Sequence, residues 1–383
     1  MNCIVVHYSE IGLKGKNRGF FEHKLVSNIR LALKGLGSLK VSRLHGRILI
    51  SLGRNREAKG IGERLLKVPG VSYFAFALSA GRDLAGIKKS LAAAAKKEKL
   101  KTFAISTMRS DKRFRLTSRE INEALGDFIG KKHGWRVNLS KPDMTFFVEV
   151  TEQGAFVYTE KIRGLGGLPV TSSGRLLSLI SGGIDSPVAA FEMFRRGCSV
   201  IFVHFHNQTG QRDIVKDKVD KIVKALSEYQ PSTKLYMVPF GDLQKGIIMH
   251  IPARYRMIVY RRVMFAIANR IAQREGALGF VTGDSVGQVA SQTLENLNVI
   301  YEKAGFPVFS PLIGRNKEEI VSIAKDIGTY ELSILPYSDC CSFLVAPHPE
   351  TKGRIEDIRK LEAGLDLDRL VEDALKESEL KKY

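Results

Sequence analysis

An α/β protein, with a doubly wound parallel sheet in its second half and two smaller α+β domains ahead of it, is the fold class this sequence predicts. Three observations carry that expectation. Leu177-Ser178-Leu179-Ile180 is a short apolar run of the kind that makes a buried parallel strand, and it breaks off into Ser181-Gly182-Gly183 before a helix. Strand-like and helix-like segments then alternate as βαβα to about residue 282, the pattern of a sheet covered on both faces. Residues 3–78 read βαββαβ, the order of a ferredoxin-like unit. The expected domains are 1–79, 80–166 and 167–383, since 383 residues are long for a single core.

Taken in order, residues 3–8 alternate as a strand, 17–33 form an amphipathic helix, and 41–44 and 48–52 pair across the His45-Gly46 turn. A second helix over 56–66 and a strand over 71–78 complete the first unit, and 80–82 read as a hinge. Beyond it come a helix over 84–99, a strand over 102–107, a helix over 117–132 and strands over 144–150 and 155–158, with Trp135 in a core or interface. The glycine-rich stretch 161–169 suits neither helix nor central strand and is expected to be a linker. In the second half 198–205, 234–240 and 278–282 read as strands, 214–228 and 255–273 as helices, and 355–382 as a charged helix. Ser181, His204 and Gly283-Asp284 fall at the carboxyl ends of strands, where such sheets hold ligands.

Charge divides the chain as sharply as pattern does. The net charge is +20, and residues 1–173 hold 32 Lys and Arg against 14 Asp and Glu, leaving 28 against 26 for the remainder. A polyanion at the front and chemistry at the back would account for this, and so would a generally basic surface. No run approaches the ~20 apolar residues of a membrane span and the N-terminus has no signal-peptide pattern, so a cytoplasmic protein without a membrane partner is expected. Four cysteines, Cys3, Cys198, Cys340 and Cys341, are too few for a disulfide scaffold.

The loop after the strand at 177–180 is the expected chemical centre. Pro187 suits the first helical position and Gly197 the stop, so backbone N–H groups and the helix dipole together form a cup for phosphate. Asp185 would repel such a guest unless a cation lay between, which predicts Mg²⁺ bridging Asp185 and a polyphosphate. No Lys follows the second glycine, as a Walker A loop requires, and a dinucleotide fingerprint would need a third glycine. Ser-Gly-Gly-Ile-Asp-Ser, residues 181–186, instead resembles the pyrophosphate loop of the ATP pyrophosphatases, against the plainer alternative of a capped glycine turn. Two basic stretches stand out ahead of it. One carries Lys14, Lys16 and Arg18 between Gly12 and the first helix; the other carries Arg109, Lys112, Arg113 and Arg115 around Phe114. Each suits RNA phosphates, and each reads equally as a solvated charged loop.

Thr282-Gly283-Asp284-Ser285-Val286-Gly287-Gln288-Val289-Ala290-Ser291-Gln292-Thr293-Leu294, the loop at Ser181 and Lys141-Pro142-Asp143 together resemble the tRNA 4-thiouridine synthetase (tRNA sulfurtransferase) family, which is associated also with thiamine biosynthesis. So do residues 10–18, 164–169 and Ile334 to Cys341, and the likeness spans about residues 4–350. It implies a ferredoxin-like domain, a THUMP domain for RNA and a pyrophosphate-loop domain of the adenine nucleotide alpha hydrolase type. The implied reaction adenylates the C4 oxygen of the position-8 uridine of tRNA, and a persulfide sulfur then displaces AMP to give 4-thiouridine, with pyrophosphate released. ATP would meet Leu179, Ile180, Ser181, Gly182, Gly183, Ser186, His204, Phe205, Arg261, Gly283 and Gln292, with Asp185 and Lys317 as essential acid and base positions. Arg261 or Lys317 could offset charge growing on the phosphates, or either could be a surface cation on a helix. Lys141 joins the RNA-binding set by the same likeness.

The likeness aligns Cys340 with the family's catalytic cysteine, and the form without a C-terminal rhodanese domain is expected. Either Cys340 or Cys341 accepts sulfur, or a separate carrier delivers it; a cysteine desulfurase or other sulfur carrier is implied, and a homodimer. Adjacent cysteines leave too few thiolates for an iron–sulfur cluster. Another pyrophosphate-loop tRNA modifier, or an ATP-sensing RNA-binding protein, are the alternatives.

Overall fold

The computed structural model describes residues 1–53, 58–96, 98, 100–207, 212–336 and 346–383. Two compact units divide the chain, Met1–Pro169 and Val170–Tyr383.

The first unit begins β1 (Cys3–His7), α1 (Arg18–Ala32), β2 (Lys40–Leu44), β3 (Arg47–Ser51), α2 (Ala58–Leu65) and β4 (Tyr73–Ala80), the expected βαββαβ order. It continues α3 (Leu84–Ala95), β5 (Thr102–Arg109), α4 (Ser118–His133), β6 (Arg136–Val137), β7 (Met144–Thr151), β8 (Gly154–Tyr158) and β9 (Ile162–Arg163). Every residue of β1 is buried because the strand is paired on both sides, antiparallel to β3 and to β4. Ile4, Val6, Ile48, Ile50 and Phe74 supply its core against Leu25 and Ile29 of α1. A Thr117–Glu120 capping box starts α4, and Gly134, at φ 72°, ends it. Trp135 stacks on His133 and lies against the core that holds Phe103 and Phe146.

Two expectations fail here. No hinge breaks the chain at 80–82, for β4 runs on through Ala80 and pairs with β8, so one sheet in the order β2-β3-β1-β4-β8-β7-β5-β6 spans the whole unit. Nor is 161–169 a free linker. Ile162 and Arg163 pair with β4, and the Gly164 and Gly166 N–H groups donate to Ser72 and Val71. An added Cβ at Gly164 would lie 2.5 Å from the Val71 carbonyl oxygen, so glycine is what lets this segment dock.

The second unit runs β10 (Arg175–Leu179), α5 (Asp185–Arg195), β11 (Ser199–His206), α6 (Arg212–Ser227), β12 (Lys234–Pro239), α7 (Gly241–His250), α8 (Arg256–Glu275), β13 (Phe280–Val281) and α9 (Leu294–Tyr301). After these come β14 (Val308–Phe309), α10 (Lys317–Asp326), α11 (Tyr330–Ser333), α12 (Ile355–Glu362), α13 (Leu367–Lys376) and β15 (Glu379–Lys382). Its sheet has the order β14-β13-β10-β11-β12-β15, parallel except for β15. The chain moves outward from β10 to β11 and β12, then returns to the other side of β10 for β13 and β14. The order therefore reverses at the carboxyl end of β10, the crevice where doubly wound sheets take ligands. Helix α8 packs Tyr260, Val263 and Phe265 into the core against β10, β11 and β13.

The expected single helix over 355–382 is instead two helices and a strand. Gly364 follows α12, Asp366 caps α13 by accepting from the Arg369 N–H at 3.2 Å, and β15 pairs antiparallel with β12. Helix α5 begins at Asp185, so Pro187 is its third residue; its absent N–H still lies in the first turn, where no helical partner exists. Gly197, at φ 82°, ends that helix as expected. Among the described residues no helix is long and apolar enough to cross a membrane.

Candidate active site

The switch point opens into a cavity of about 540 Å³, a size suited to a nucleotide. Its floor is the turn from β10 into α5. Two serines staple that turn: Ser186 Oγ accepts from the Ser181 N–H at 2.9 Å and sits 3.1 Å from Ser181 Oγ, while the Gly183 N–H donates to Ser181 Oγ at 3.2 Å. Gly283, just past β13, closes the opposite side. An added Cβ there would lie 2.6 Å from Ser186 N and 2.8 Å from the Asp185 carbonyl carbon, so only glycine permits the two elements to approach.

Leu179, Ile180, His204 and Phe205 form the wall contributed by β10 and β11. His204 is buried with Nδ1 2.9 Å from the Ile180 carbonyl oxygen, which ties the two strand ends together. From α8, Arg261 reaches the cavity, donating to Asp284 Oδ2 at 2.6 Å and to the Ser291 carbonyl at 3.3 Å. Gln292 Nε2 donates to Asp284 Oδ1 at 3.0 Å, and Tyr301 donates its hydroxyl to Oδ2 at 2.6 Å. Burial would push the Asp284 carboxyl up, but Arg261 and the hydroxyl donors outweigh it and hold the group below the usual carboxylate range. Burial and the same carboxylate push Tyr301 up to about 12.

Asp185 stands at the mouth as the first residue of α5. Lys317 Nζ is 2.5 Å from its Oδ1, and Gln288 Nε2 donates to its Oδ2 at 2.9 Å. Lys317 is itself the first residue of α10, fixed there by the Asn316–Glu319 capping box. The structure thus gathers Leu179, Ile180, Ser181, Gly183, Asp185, Ser186, His204, Phe205, Arg261, Gly283 and Gln292 around one cavity and brings Lys317 to Asp185. Gly182 lies in the turn between them. Cys340 and Cys341 lie outside the described residues. Tyr301 is an addition that the sequence does not point to, while Asp284 and Gln288 stand there in the 282–294 motif with no role given to either.

The basic residues of the first unit fall into two kinds. Lys16, Lys112, Arg115 and Lys141 are exposed. Arg18 instead donates to the Tyr8 hydroxyl at 2.7 Å and to Glu22 at 2.9 Å, Arg113 pairs with Asp111 and Glu152, and Arg109 donates to the Phe114 carbonyl at 2.9 Å. Lys14 lies over the Phe21 ring. Phe114 packs against the core of its own domain, which favours the plain charged-loop account of that aromatic. Asp143 accepts from the Lys101 and Thr102 N–H groups at 3.0 and 2.8 Å and so anchors the start of β5.

A stapled turn of pyrophosphate-loop sequence at the reversal point of a doubly wound sheet, with a carboxylate and a lysine at its mouth, defines a nucleotide-dependent enzyme. Comparison with known proteins narrows the class. The family described as Thiamine biosynthesis protein (ThiI) matches residues 171–367, the ThiI ferredoxin-like domain residues 3–75 and the THUMP domain residues 82–160. A probable tRNA sulfurtransferase of Caldanaerobacter subterraneus is 41% identical over 97% of both chains. Another, from Thermus thermophilus, is 43% identical over 99% of this chain and 93% of its own. A crystal structure of a 4-thiouridine synthetase–RNA complex with bound ATP superposes at a TM-score of 0.90 and 37% identity, covering 100% of this chain and 99% of that one. The chain belongs to the ThiI family of tRNA sulfurtransferases.

Proposed function

We propose that this enzyme uses ATP to convert the position-8 uridine of tRNA to 4-thiouridine, by adenylating its C4 oxygen and then exchanging AMP for persulfide sulfur. The observation that carries this is the juxtaposition of the Ser181–Ser186 turn, the Asp185–Lys317 pair and Arg261 around one nucleotide-sized cavity. The likeness to an ATP- and RNA-bound 4-thiouridine synthetase supports it. In this reading residues 1–79 are the ferredoxin-like domain, 80–166 the THUMP domain that receives tRNA, and 167–383 the catalytic domain. A role in thiamine biosynthesis, a homodimer and a cytoplasmic setting belong to the same reading.

Each group has a stated task. The turn and the N-terminus of α5 hold the phosphates, and the strand ends at Leu179-Ile180 and His204-Phe205 hold the adenosine. Arg261 and Lys317 offset charge that grows as the α–β phosphate bond breaks. Asp185 would hold Mg²⁺. A single carboxylate beside a phosphate cup is the donor set Mg²⁺ takes, and Asp185 already has two donors on its oxygens where a cation would stand. When bound, that ion would screen the polyphosphate. Cys3 and Cys198 are buried, and burial pushes both thiols up, Cys3 to about 12, so neither suits a nucleophile at neutral pH. The sulfur step is assigned to Cys340 or Cys341, with a cysteine desulfurase or other carrier as donor.

Incubating the protein with ATP, Mg²⁺, tRNA and sulfide tests the whole reading, with pyrophosphate release and the nucleoside product followed together. Mass spectrometry should find 4-thiouridine at position 8. A thiolated base at any other position would assign the chain to another pyrophosphate-loop modifier, and tRNA binding with no turnover would refute the enzyme. Sulfide should bypass Cys340→Ala or Cys341→Ala where the cysteine only carries sulfur.

A further inference from the structure

Asp284 contacts two polar side chains that line the same cavity, Arg261 and Gln292. Its Oδ2 accepts from Arg261 and Tyr301, each at 2.6 Å, and its Oδ1 accepts from Gln292 Nε2 at 3.0 Å. Behind it Tyr301 is held in turn, its oxygen 2.9 Å from Ser310 Oγ and 3.1 Å from Thr282 Oγ1. Asp284 is 4% exposed and Arg261 only 14% by side chain, so neither can swing into bulk water.

The chemistry of this arrangement is one-directional. An ionised carboxylate can only accept, so Gln292 must present its NH₂ to Asp284 and turn Oε1 away. That Oε1 is buried and has no hydrogen-bond partner among the described residues. A buried acceptor left without a donor is costly, and a ligand group bearing N–H or O–H would satisfy it. Arg261, gripped by Asp284 on one side and the Ser291 carbonyl on the other, is likewise fixed rather than free to follow solvent.

We propose that Asp284, backed by Tyr301, is the positioning residue of the nucleotide site: it locks the Arg261 guanidinium and orients the Gln292 amide so that its oxygen alone meets ATP. The Phe265 ring contacts with Phe280 and Tyr301 join α8, β13 and α9 independently of the carboxylate. The inference rests on the reading of this cavity as the ATP site.

The test uses the full chain. Asp284→Asn keeps the shape but brings an NH₂ against the donors of Arg261 or Gln292, and frees the Gln292 amide to flip. ATP affinity by calorimetry should fall at least tenfold and KM for ATP should rise in step, while KM for tRNA should stay within twofold. The thermal midpoint falls too, because a buried pair loses one partner, and the split between the two KM values is what a merely structural role would not produce. Losing one charge-assisted hydrogen bond is worth roughly 12- to 160-fold, so tenfold is a conservative threshold. In a Gln292→Ala background the same substitution should cost less than it does in the native chain, because part of its effect runs through Gln292. Tyr301→Phe should weaken ATP binding about threefold with an unchanged midpoint, and it carries the test alone where Asp284→Asn does not fold. Native affinity in both variants, or a fully additive loss beside Gln292→Ala, overturns the proposal. Absence of ATP binding by the native chain would instead sink the ATP reading of the cavity.

Discussion

Gly283→Ala is the smallest change that should stop this enzyme. The new methyl group would sit 2.6 Å from Ser186 N, 2.8 Å from the Asp185 carbonyl carbon and 2.9 Å from Ser186 Cα. All three are backbone atoms of the first turn of α5, so no flexible side chain can give way. Ordinary contact at 3.4 Å requires about 0.8 Å of separation between β13 and α5, an overpacking that costs roughly 1–3 kcal/mol. The displaced residues are Ser186, which staples the phosphate turn, and Asp185, which faces Lys317. A shift approaching 1 Å in a catalytic constellation costs on the order of 100-fold in rate. The expected outcome is therefore disproportionate: a thermal midpoint lowered by a few degrees, as roughly 1–3 kcal/mol produces in a unit of this size, against a kcat for pyrophosphate release down about 100-fold. Differential scanning calorimetry and a coupled pyrophosphate assay read the two quantities on one preparation. A variant that turns over at the native rate would show that α5 and β13 are not held at this separation during the reaction, and the close-approach account of Gly283 would be wrong.

Further outcomes follow from the same geometry. Asp185→Ala should abolish AMP formation while tRNA affinity in a filter-binding assay stays nearly native, and equal loss of both would contradict the division of labour between the units. Replacing Lys112 and Arg115 with Ala should lower the slope of log affinity for tRNA against log salt by about one for each phosphate no longer bound, whereas Arg113→Ala, already paired with Asp111 and Glu152, should change it less. Glu149 is buried with His7 at 2.9 Å, Arg47 at 2.6 Å and the Tyr158 hydroxyl at 2.6 Å. Burial alone would raise its pKa, but His7, Arg47 and Tyr158 together hold it below the ordinary value. Its contribution is then present above the unfolded value of about 4.3 and lost as pH falls through the lower folded one. Glu149→Gln should cost about 3–5 kcal/mol at pH 7, where denaturant unfolding would show it, and the gap should narrow as pH falls from the unfolded value of about 4.3 towards the lower folded one. A gap independent of pH would mean that the carboxylate is not what those partners hold.

What could be read from the sequence was what is local in it. Ser181 to Ser186 announces itself because strand, glycines and helix start lie within a dozen residues, and the turn that results is stapled by two of its own serines. The start of α4 near Thr117 is legible for the same reason. The partners of Asp284 were not, since Arg261 lies 23 residues before it and Tyr301 17 after, on helices whose mutual placement only the packed sheet decides. Gln288 and Lys317 meet Asp185 across 103 and 132 residues. The C-terminal strand misled in the opposite way. Glu379-Leu380-Lys381-Lys382 is charged enough to pass for helix, and it becomes a strand because β12 offers an open edge and Asp220 receives Lys381 at 2.8 Å and the Tyr383 hydroxyl at 2.6 Å. Arg18 and Arg113 misled as well: a cation in a basic loop looks available until its carboxylate neighbours are seen in three dimensions.

The resting charges at the proposed ATP site cancel in pairs, and this bears on the order in which it fills. Arg261 is matched by Asp284 and Lys317 by Asp185, but the two pairs are not equivalent. Asp284 is buried and the Arg261 side chain only 14% exposed, so their charges stay together and present a fixed cation to the cavity. Lys317 and Asp185 are 47% and 19% exposed by side chain, where water screens the attraction and either partner can be drawn off. An anion seated on the turn after β10 would compete with Asp185 for Lys317, and the carboxylate so released would stand beside phosphate with no cation of its own unless a metal arrived with the nucleotide. On the proposed reading the mouth would take a polyphosphate and its counterion together, while Asp284 would hold the wall behind it in place.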